Sequence, residues 1–178
     1  SDLDFIEKCR DKRSTHQLFK HLNIDIPAEI DKYNPRFPLF AKPYDGSLSC
    51  NTHYIESASQ LTQELLEDPK LIFMDYVNPK EFNEYTVDLY YGADHYLKCI
   101  VPRERLSIRA GEINKGITRK NLIVDYLKQR ISFLPGVRGV ICLQLFMRPS
   151  DGQIYGIEIN PRFGGGYPLS YYSKANYP

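Results

Sequence analysis

The sequence predicts an α+β protein whose strands are mostly antiparallel and form two sheets. Three pairs of strand-like segments are each joined by a turn-rich connection, which is the pattern of β-hairpins. Two segments, residues 11–24 and 118–134, carry the apolar spacing of amphipathic helices. With 178 residues, of which 42% are hydrophobic, the chain is long enough to bury a core and form one to two small domains.

The first helix is expected to begin near Asp11 or Ser14, because either side chain can cap its start. Leu18 and Leu22 then fall on one face of this helix, as burial against a sheet requires. Three prolines between residues 27 and 38 exclude helix from the stretch that follows.

A small hairpin is predicted next, with strands at residues 37–42 and 52–57 on either side of a loop rich in turn residues. Ser57 and Gln60 form a capping box, which predicts a short helix after the second strand. An apolar strand at residues 71–77 follows this helix.

The hydrophobic period then changes to two, which predicts an antiparallel hairpin from residues 84–92 and 95–102. Residues 103–116 are polar and cationic, and no strand is predicted there. The second long helix, residues 118–134, has its apolar residues on one side and is stopped by Pro135.

The last hairpin lies between residues 139 and 161 and carries polar groups where a strand centre is normally apolar. Alternation places Gln144 apart from its apolar neighbours, and it places Gly156 on the same face as Glu158 and Asn160. Paired across the turn, Gln144, Glu158 and Asn160 offer only oxygen ligands, which suits a hard cation such as Mg²⁺. The alternative is a polar stripe that faces solvent.

A phosphate site is indicated by Lys42, which ends a strand directly before a loop with Gly46, Ser47 and Ser49. Backbone N–H and hydroxyl groups of such a loop can donate to a phosphate. One of two open interpretations of the glycines at 164–166 is a loop that needs positive φ angles; the other is a functional loop. Neither loop matches the common glycine-rich nucleotide fingerprints.

Composition argues against several classes of function. The 23 Lys and Arg against 22 Asp and Glu leave a net charge of +1, so we expect no nucleic-acid or membrane partner. No apolar stretch reaches the roughly 20 residues of a membrane span, and the opening lacks the apolar core of a signal peptide. We therefore expect a cytoplasmic protein whose widely spaced cysteines are reduced thiols; they are Cys9, Cys50, Cys99 and Cys142.

The order of the motifs resembles that of ATP-grasp enzymes, most closely the carbamoyl-phosphate-synthetase-like branch. The motifs are DK at residues 11–12, FAKPYDGSLS, FMDYVNPKEFNEYTVDLY, the Gln at the centre of VICLQLFM, and EINPRFGGGYPLS. The resemblance covers nearly the whole chain, and EINPR is its most specific part. It implies an ATP-grasp fold, in which two α+β subdomains with mainly antiparallel sheets hold ATP between them.

The resemblance also implies roles for individual residues. Lys12 and Lys42 would contact the nucleotide and its phosphates, and the loop with Gly46, Ser47 and Ser49 would close over them as a lid. The adenine and ribose would lie against the four residues Asp75, Tyr76, Val77 and Glu84.

The metal and transfer groups follow in the same way. Glu158 would bridge two Mg²⁺ ions, with Gln144 on one and Asn160 on the other, and Mn²⁺ is a possible substitute. Arg162 would stabilise charge on the transferring phosphoryl group, and Arg109 matches a position that contacts phosphate or the acyl intermediate.

By this resemblance residues 1–22 form a connecting helix, residues 23–76 a small lid subdomain and residues 77–178 a larger subdomain with the metal site. Because the chain starts at Ser1 and ends directly after an aromatic-rich stretch, we expect a piece of a longer protein, with a preceding domain absent.

The expected function is that of an ATP-dependent carboxylate–amine ligase or a carbamoyl-phosphate-synthetase-like enzyme. Its partners would be ATP and a small carboxylate, with a homo-oligomer left open. An alternative is a nucleotide-binding regulatory module without turnover, because the lid sequence DGSLSCN departs from the glycine-rich lid of the family. A plain interaction domain that exposes its 14 Tyr and 9 Phe is a third interpretation.

Overall fold

The structure, a computed structural model, describes residues 1–46, 50–109 and 112–177. Its helices in these ranges are α1 Leu3–Arg10, α2 Lys12–His21, α3 Gln63–Glu67, α4 Leu122–Ile131 and α5 Tyr167–Tyr172, with a 3₁₀ turn at Ala58–Gln60. The strands are β1 Leu39–Pro43, β2 His53–Ile55, β3 Leu71–Asp75, β4 Asn83–Tyr91, β5 Leu97–Arg109, β6 Glu112–Thr118, β7 Gly139–Met147 and β8 Ile154–Asn160. The helices of the described residues are all too short or too polar to span a lipid bilayer.

The strands form two antiparallel sheets, which confirms the predicted fold class. The small sheet has the order β2-β1-β3, and the large sheet has the order β6-β5-β4-β7-β8. All three predicted hairpins are present, since β1 pairs with β2, β4 with β5, and β7 with β8.

One face of the large sheet carries the main hydrophobic core. The helices α1, α2 and α4 cover this face and contribute Phe5, Phe19 and Leu127. They meet alternate residues of the strands, such as Val87 and Leu143, which are buried. The opposite face of this sheet is therefore left for other contacts.

The small sheet has a second, smaller core. Leu39, Ala41 and Phe73 are buried there, and Leu61 and Leu65 pack against them from the segment that contains α3. The two cores are separate clusters, and the free faces of the two sheets enclose a cavity.

Helix boundaries depend on which side chain caps the first turn. Asp11 rather than Ser14 caps α2, because its carboxylate accepts a hydrogen bond of 2.8 Å from the N–H of Arg13. The predicted capping box is wrong, since Ser57 makes no side-chain cap bond and Thr62 caps α3 instead.

The region between the second hairpin and α4 also differs from the prediction. Most of this polar stretch is in strands: β5 continues through Arg109, and β6, from Glu112, pairs with it as an edge strand. The helix that follows begins only at Leu122, where the Asn121 side chain caps it. Exposed strands at a sheet edge carry polar side chains, which conceals them from a search for apolar alternation.

Candidate functional site

The strand β7 divides its side chains between the core and the cavity, as predicted. Ile141, Leu143 and Leu145 are buried in the main core. Gln144 and Phe146, from the opposite face, line the cavity. Gln144 is therefore a polar residue at the centre of a strand that faces the space between the sheets.

The pairing of β7 with β8 brings the predicted metal ligands together. Gln144 lies opposite Glu158, and Cys142 lies opposite Asn160. A bulge follows, because the next pair after Gln144 and Glu158 is Leu145 with Gly156, which leaves Ile157 as an extra residue on β8.

The bulge corrects the alternation predicted for β8. Gly156 does not share a face with Glu158, because it lies in the core side of the sheet, where an added Cβ would be 2.9 Å from the Phe19 ring. Ile157 and Glu158 both line the cavity. The extra residue thus keeps Glu158 and Asn160 directed toward the cavity while Ile154 and Ile159 remain in the core.

The cavity has a volume of about 720 Å³ and collects most of the predicted site residues. Those that line it are Lys12, Lys42, Gly46, Asp75, Tyr76, Val77, Glu84, Gln144, Glu158, Asn160 and Arg162. Ser47 and Ser49 lie outside the described residues, as does the side chain of Arg109. A second cavity, of about 690 Å³ between β5 and α4, contains none of the predicted residues.

The three predicted metal ligands form a hard, oxygen-rich set. The Asn160 side-chain amide donates a 2.8 Å hydrogen bond to the Glu158 carboxylate, so the two side chains are already in contact. Within the described residues no three His, Cys, Asp or Glu side chains cluster as a metal site. The set therefore depends on the amide oxygens of Gln144 and Asn160, which suit Mg²⁺ and are poor ligands for zinc.

Lys42 lies on β1 with only 8% of its surface exposed. Burial and, to a smaller extent, the nearby charge of Lys12 lower the pKa of its ammonium, Glu158 opposes both effects, and the resulting pKa is about 8. His16 on α2 is buried as well, and burial together with the charge of Lys42 lowers its pKa to about 4. With this low pKa, His16 is neutral at pH 7. Sequence reasoning did not identify His16 as part of the site.

Lys12 ties the start of α2 to the loop that follows β1. Its ammonium donates to the carbonyl of Gly46, and its backbone N–H donates to the carbonyl of Tyr44 at 2.8 Å. The guanidinium of Arg13 stacks over the Tyr44 ring at 3.7 Å. The base of the predicted lid is thus held by α2.

The two acids predicted near the adenine and ribose each have an arginine partner. Asp75 accepts two hydrogen bonds from Arg36, at 2.7 and 2.8 Å. Glu84 forms an ion pair of 3.0 Å with Arg105. Burial raises the pKa of Glu84, while Arg105 lowers it and the nearby charge of Glu158 raises it. Strand alternation could have indicated Arg105 only if β5 had been predicted to extend that far, and Arg36 lies in a loop whose sequence gives no such signal.

Arg103 lines the cavity close to the metal ligands and belongs to a buried ion pair that sequence reasoning missed. Asp88 on β4 and Arg103 on β5 are both fully buried, with a nitrogen-to-oxygen distance of 2.6 Å. Asp88 lies two residues after Thr86, which is opposite Gln144, so strand periodicity places it on the cavity face.

The glycines at 164–166 line the cavity beside this pair, but the predicted reason for them is wrong. Within the described ranges the glycines with positive φ are Gly136, Gly139 and Gly152. Gly164 and Gly166 are instead required by close approach, because an added Cβ on Gly166 would lie 2.4 Å from the Arg103 Nε. Sequence alone does not distinguish these two uses of glycine.

Comparison with solved structures finds the same fold in proteins of low sequence identity. The N5-carboxyaminoimidazole synthetase of Staphylococcus aureus complexed with ADP matches with a TM-score of 0.74 and 18% identity, over 94% of this chain and 48% of the other. The biotin carboxylase–β,γ-ATP complex from Campylobacter jejuni gives 0.71 and 13%, over 93% and 43%. The L-amino acid ligase of Bacillus licheniformis gives 0.66 and 18%, also over 93% and 43%.

This chain therefore spans less than half the length of each of these three structures. A search among curated proteins finds no match. The family model described as "ATP-grasp in the biosynthetic pathway with Ter operon" matches residues 67–178, which is more than half of the chain and includes the residues from β3 to α5. The chain thus belongs to the ATP-grasp family of the biosynthetic pathway with Ter operon.

Proposed function

We propose that this chain is the nucleotide-binding part of an ATP- and Mg²⁺-dependent ligase that converts a carboxylate into an acyl phosphate. The observation that carries the proposal is the convergence of a buried lysine, Lys42, with the oxygen ligands Gln144, Glu158 and Asn160 on one cavity. A cavity with these groups suits a polyphosphate and its metal ion.

Lys42 is suited to a phosphate because its ammonium is poorly solvated in the free protein. Burial lowers its pKa to about 8, so the charged form lacks the stabilisation that water would provide. A phosphate oxygen beside the ammonium would restore that stabilisation. Lys12, whose ammonium donates to the Gly46 carbonyl, would exchange this bond for a second phosphate contact.

Gln144, Glu158 and Asn160 are the residues that would hold magnesium, and their oxygen donors fit such an ion. We propose two ions, with Glu158 shared between them and with Mn²⁺ as a substitute. Bound magnesium supplies neutralisation of charge on the phosphate oxygens. The contact of 2.8 Å between Asn160 and Glu158 supports their acting on the same group.

The adenine is proposed to lie against the residues that leave β3, with backbone contacts from Tyr76 and Val77. The side chains of Phe40 and Met74 line the same cavity and provide an apolar surface for a base. Asp75 and Glu84 are proposed for the ribose side. There each carboxylate would accept a hydrogen bond from a ribose hydroxyl in addition to its contact with an arginine.

The proposed reaction has two steps. An oxygen of the substrate carboxylate attacks the γ-phosphorus, the bond to the β-phosphate oxygen breaks, and ADP leaves. An amine then attacks the acyl carbon, phosphate departs, and the amine loses its proton to solvent. Arg162, and Arg109 from β5, would stabilise negative charge on the phosphoryl group. A carbamoyl-phosphate-synthetase-like reaction, with bicarbonate as the carboxylate, is the finer form of this proposal.

The test is the variant Glu158→Gln, which keeps the shape of the side chain and its bond from Asn160 but removes one charge. Titration calorimetry of ATP should show that Mg²⁺ no longer strengthens binding. Phosphate release from the full-length protein, with a panel of carboxylates and amines, should fall by about 10²- to 10³-fold. Glu64→Gln on α3 is the matched control and should change neither measurement.

The outcomes separate the proposed functions. Full activity of Glu158→Gln would exclude Glu158 as a metal ligand. Tight ATP binding by the unaltered protein without phosphate release on any substrate would favour the regulatory module instead.

A further inference from the structure

The buried ion pair between Asp88 and Arg103 connects several elements around the proposed site. The Arg103 guanidinium donates to the Asp88 carboxylate at 2.6 Å and to the Ser170 hydroxyl at 2.8 Å. Ser170 in turn donates to Asp88 at 2.5 Å, and the thiol of Cys142 contacts Asp88 at 3.4 Å. Strands β4, β5 and β7 are thereby joined to α5.

This network lies directly beneath the loop that contains the glycines at 164–166, called the glycine loop below. An added Cβ on Gly164 would be 2.9 Å from the Cys142 sulfur, and one on Gly166 would be 2.4 Å from the Arg103 Nε. The loop backbone therefore rests on the ion pair without side chains between them. The loop begins just after Arg162 and leads to Ser170, so both of its ends are attached to the large sheet.

The chemistry of the pair indicates a geometric role. Both charges are fully buried. The Nη1 group of Arg103 donates hydrogen bonds to Asp88 and to Ser170. The Nε of Arg103 is buried without a hydrogen-bond partner among the described residues. Buried ion pairs are seldom more stable than apolar replacements, and their best-supported benefit is to specify one arrangement.

We propose that Asp88, Arg103 and Ser170 form a positioning network that fixes the glycine loop on the sheet and thereby sets the positions of Asn160 and Arg162. In this proposal the three residues act through the loop and not directly on the reacting atoms. The proposal rests on the proposed function, because it assigns the network to the same metal and phosphate groups.

The test is Ser170→Ala, which removes one neutral group and leaves the ion pair intact. Ser173→Ala is the matched control on the same helix end, since the Ser173 hydroxyl contacts Thr118 at 2.7 Å and is exposed. Hydrogen exchange of the amides at 163–167 should become about tenfold faster in Ser170→Ala, and it should not change in Ser173→Ala.

A second measurement separates positioning from a general effect on the fold. In Ser170→Ala the strengthening of ATP binding by Mg²⁺ should fall by about fivefold or more, because Asn160 is displaced, while ATP affinity without metal stays within about twofold. Gly166→Ala, which forces the loop away from Arg103, should reproduce both changes and serves if Ser170→Ala does not fold.

Unchanged exchange at 163–167 would overturn the proposal, and so would faster exchange throughout the chain or equal losses of ATP affinity with and without Mg²⁺. Failure of the unaltered protein to bind ATP would instead reject the proposed function. The exchange comparison between the two serine variants would still decide whether the network holds the loop.

Discussion

Lys42 is a charged group in a place with little water, and this has a consequence for stability. Its pKa is 10.5 in an unfolded chain and about 8 in the folded protein. Between these values the unfolded chain binds more protons, so the free energy of unfolding should rise as pH increases from about 8 to about 10.5. Below pH 8 the folded protein carries the full cost of the buried charge.

Lys42→Met should therefore increase stability and reduce function. At pH 7 the free energy of unfolding in urea should rise by about 1–3 kcal/mol, because an apolar side chain of similar length replaces a buried charge. ATP affinity should fall by about 10- to 100-fold, since one phosphate contact is lost, while adenosine affinity stays nearly constant.

Lys70→Met is the control, because Lys70 is 59% exposed and pairs with Asp45 at the surface. That change should affect neither stability nor ATP affinity by more than a small amount. Equal losses of ATP and adenosine affinity in Lys42→Met would contradict the assignment of Lys42 to the phosphates.

At the scale of elements, the hairpin of β7 and β8 combines a predictable strand with an unpredictable bulge. The core residues of β7 alternate with Gln144 as the sequence indicates. The bulge depends on Gly156, whose N–H donates to the Asp25 carbonyl at 2.8 Å and whose Cα packs beside Phe19. These contacts come from α2 and the segment after it, so no local pattern in β8 reports them.

Gly156→Ala should lower the free energy of unfolding by about 1–3 kcal/mol, because the new methyl group would overlap the Phe19 ring. Phe19→Leu on its own should also destabilise the protein, by removing part of the core. The double variant should lose less stability than the sum of the two single losses, since leucine leaves room for the methyl group. Chemical denaturation of all four proteins measures this, and simple addition would show that the two sites do not touch.

The same reasoning explains which other features the sequence could predict. Hairpins and amphipathic helices follow from local periodicity, which is why β4, β5 and α4 were found near their places. The partners of Asp75 and Glu84 follow from tertiary contacts that join residues up to 39 positions apart. The short helices α1 and α5 have too few turns for a periodic signal.

At the scale of the whole molecule, the order of the motifs predicted the family better than any single motif did. The motifs come from both sheets and from the start of α2, yet they line one cavity. The order of the motifs is informative because different elements supply the chemical groups of one cavity, so each motif has its own place along the chain. The pairing of charges around the cavity was not predictable in this way.

That pairing leaves an excess of positive charge inside the cavity, although the chain as a whole has a net charge of only +1. Three acids that line the cavity are neutralised, in the pairs Asp45–Lys70, Asp75–Arg36 and Glu84–Arg105, and the lining cation Arg103 is neutralised by the buried Asp88. Among the described lining residues, the cations Arg10, Lys12, Lys42 and Arg162 and the single acid Glu158 are not part of such pairs.

A nucleotide polyanion should therefore be drawn in faster than diffusion of neutral molecules allows, and this attraction should weaken in salt. In stopped-flow experiments the association rate constant of ATP should fall by about tenfold between about 20 and 500 mM NaCl, while the dissociation rate constant changes much less. An association rate independent of salt would show that the cavity exerts no net pull. The ion pairs of the wall would then matter for how firmly the nucleotide is held, and not for how quickly it arrives.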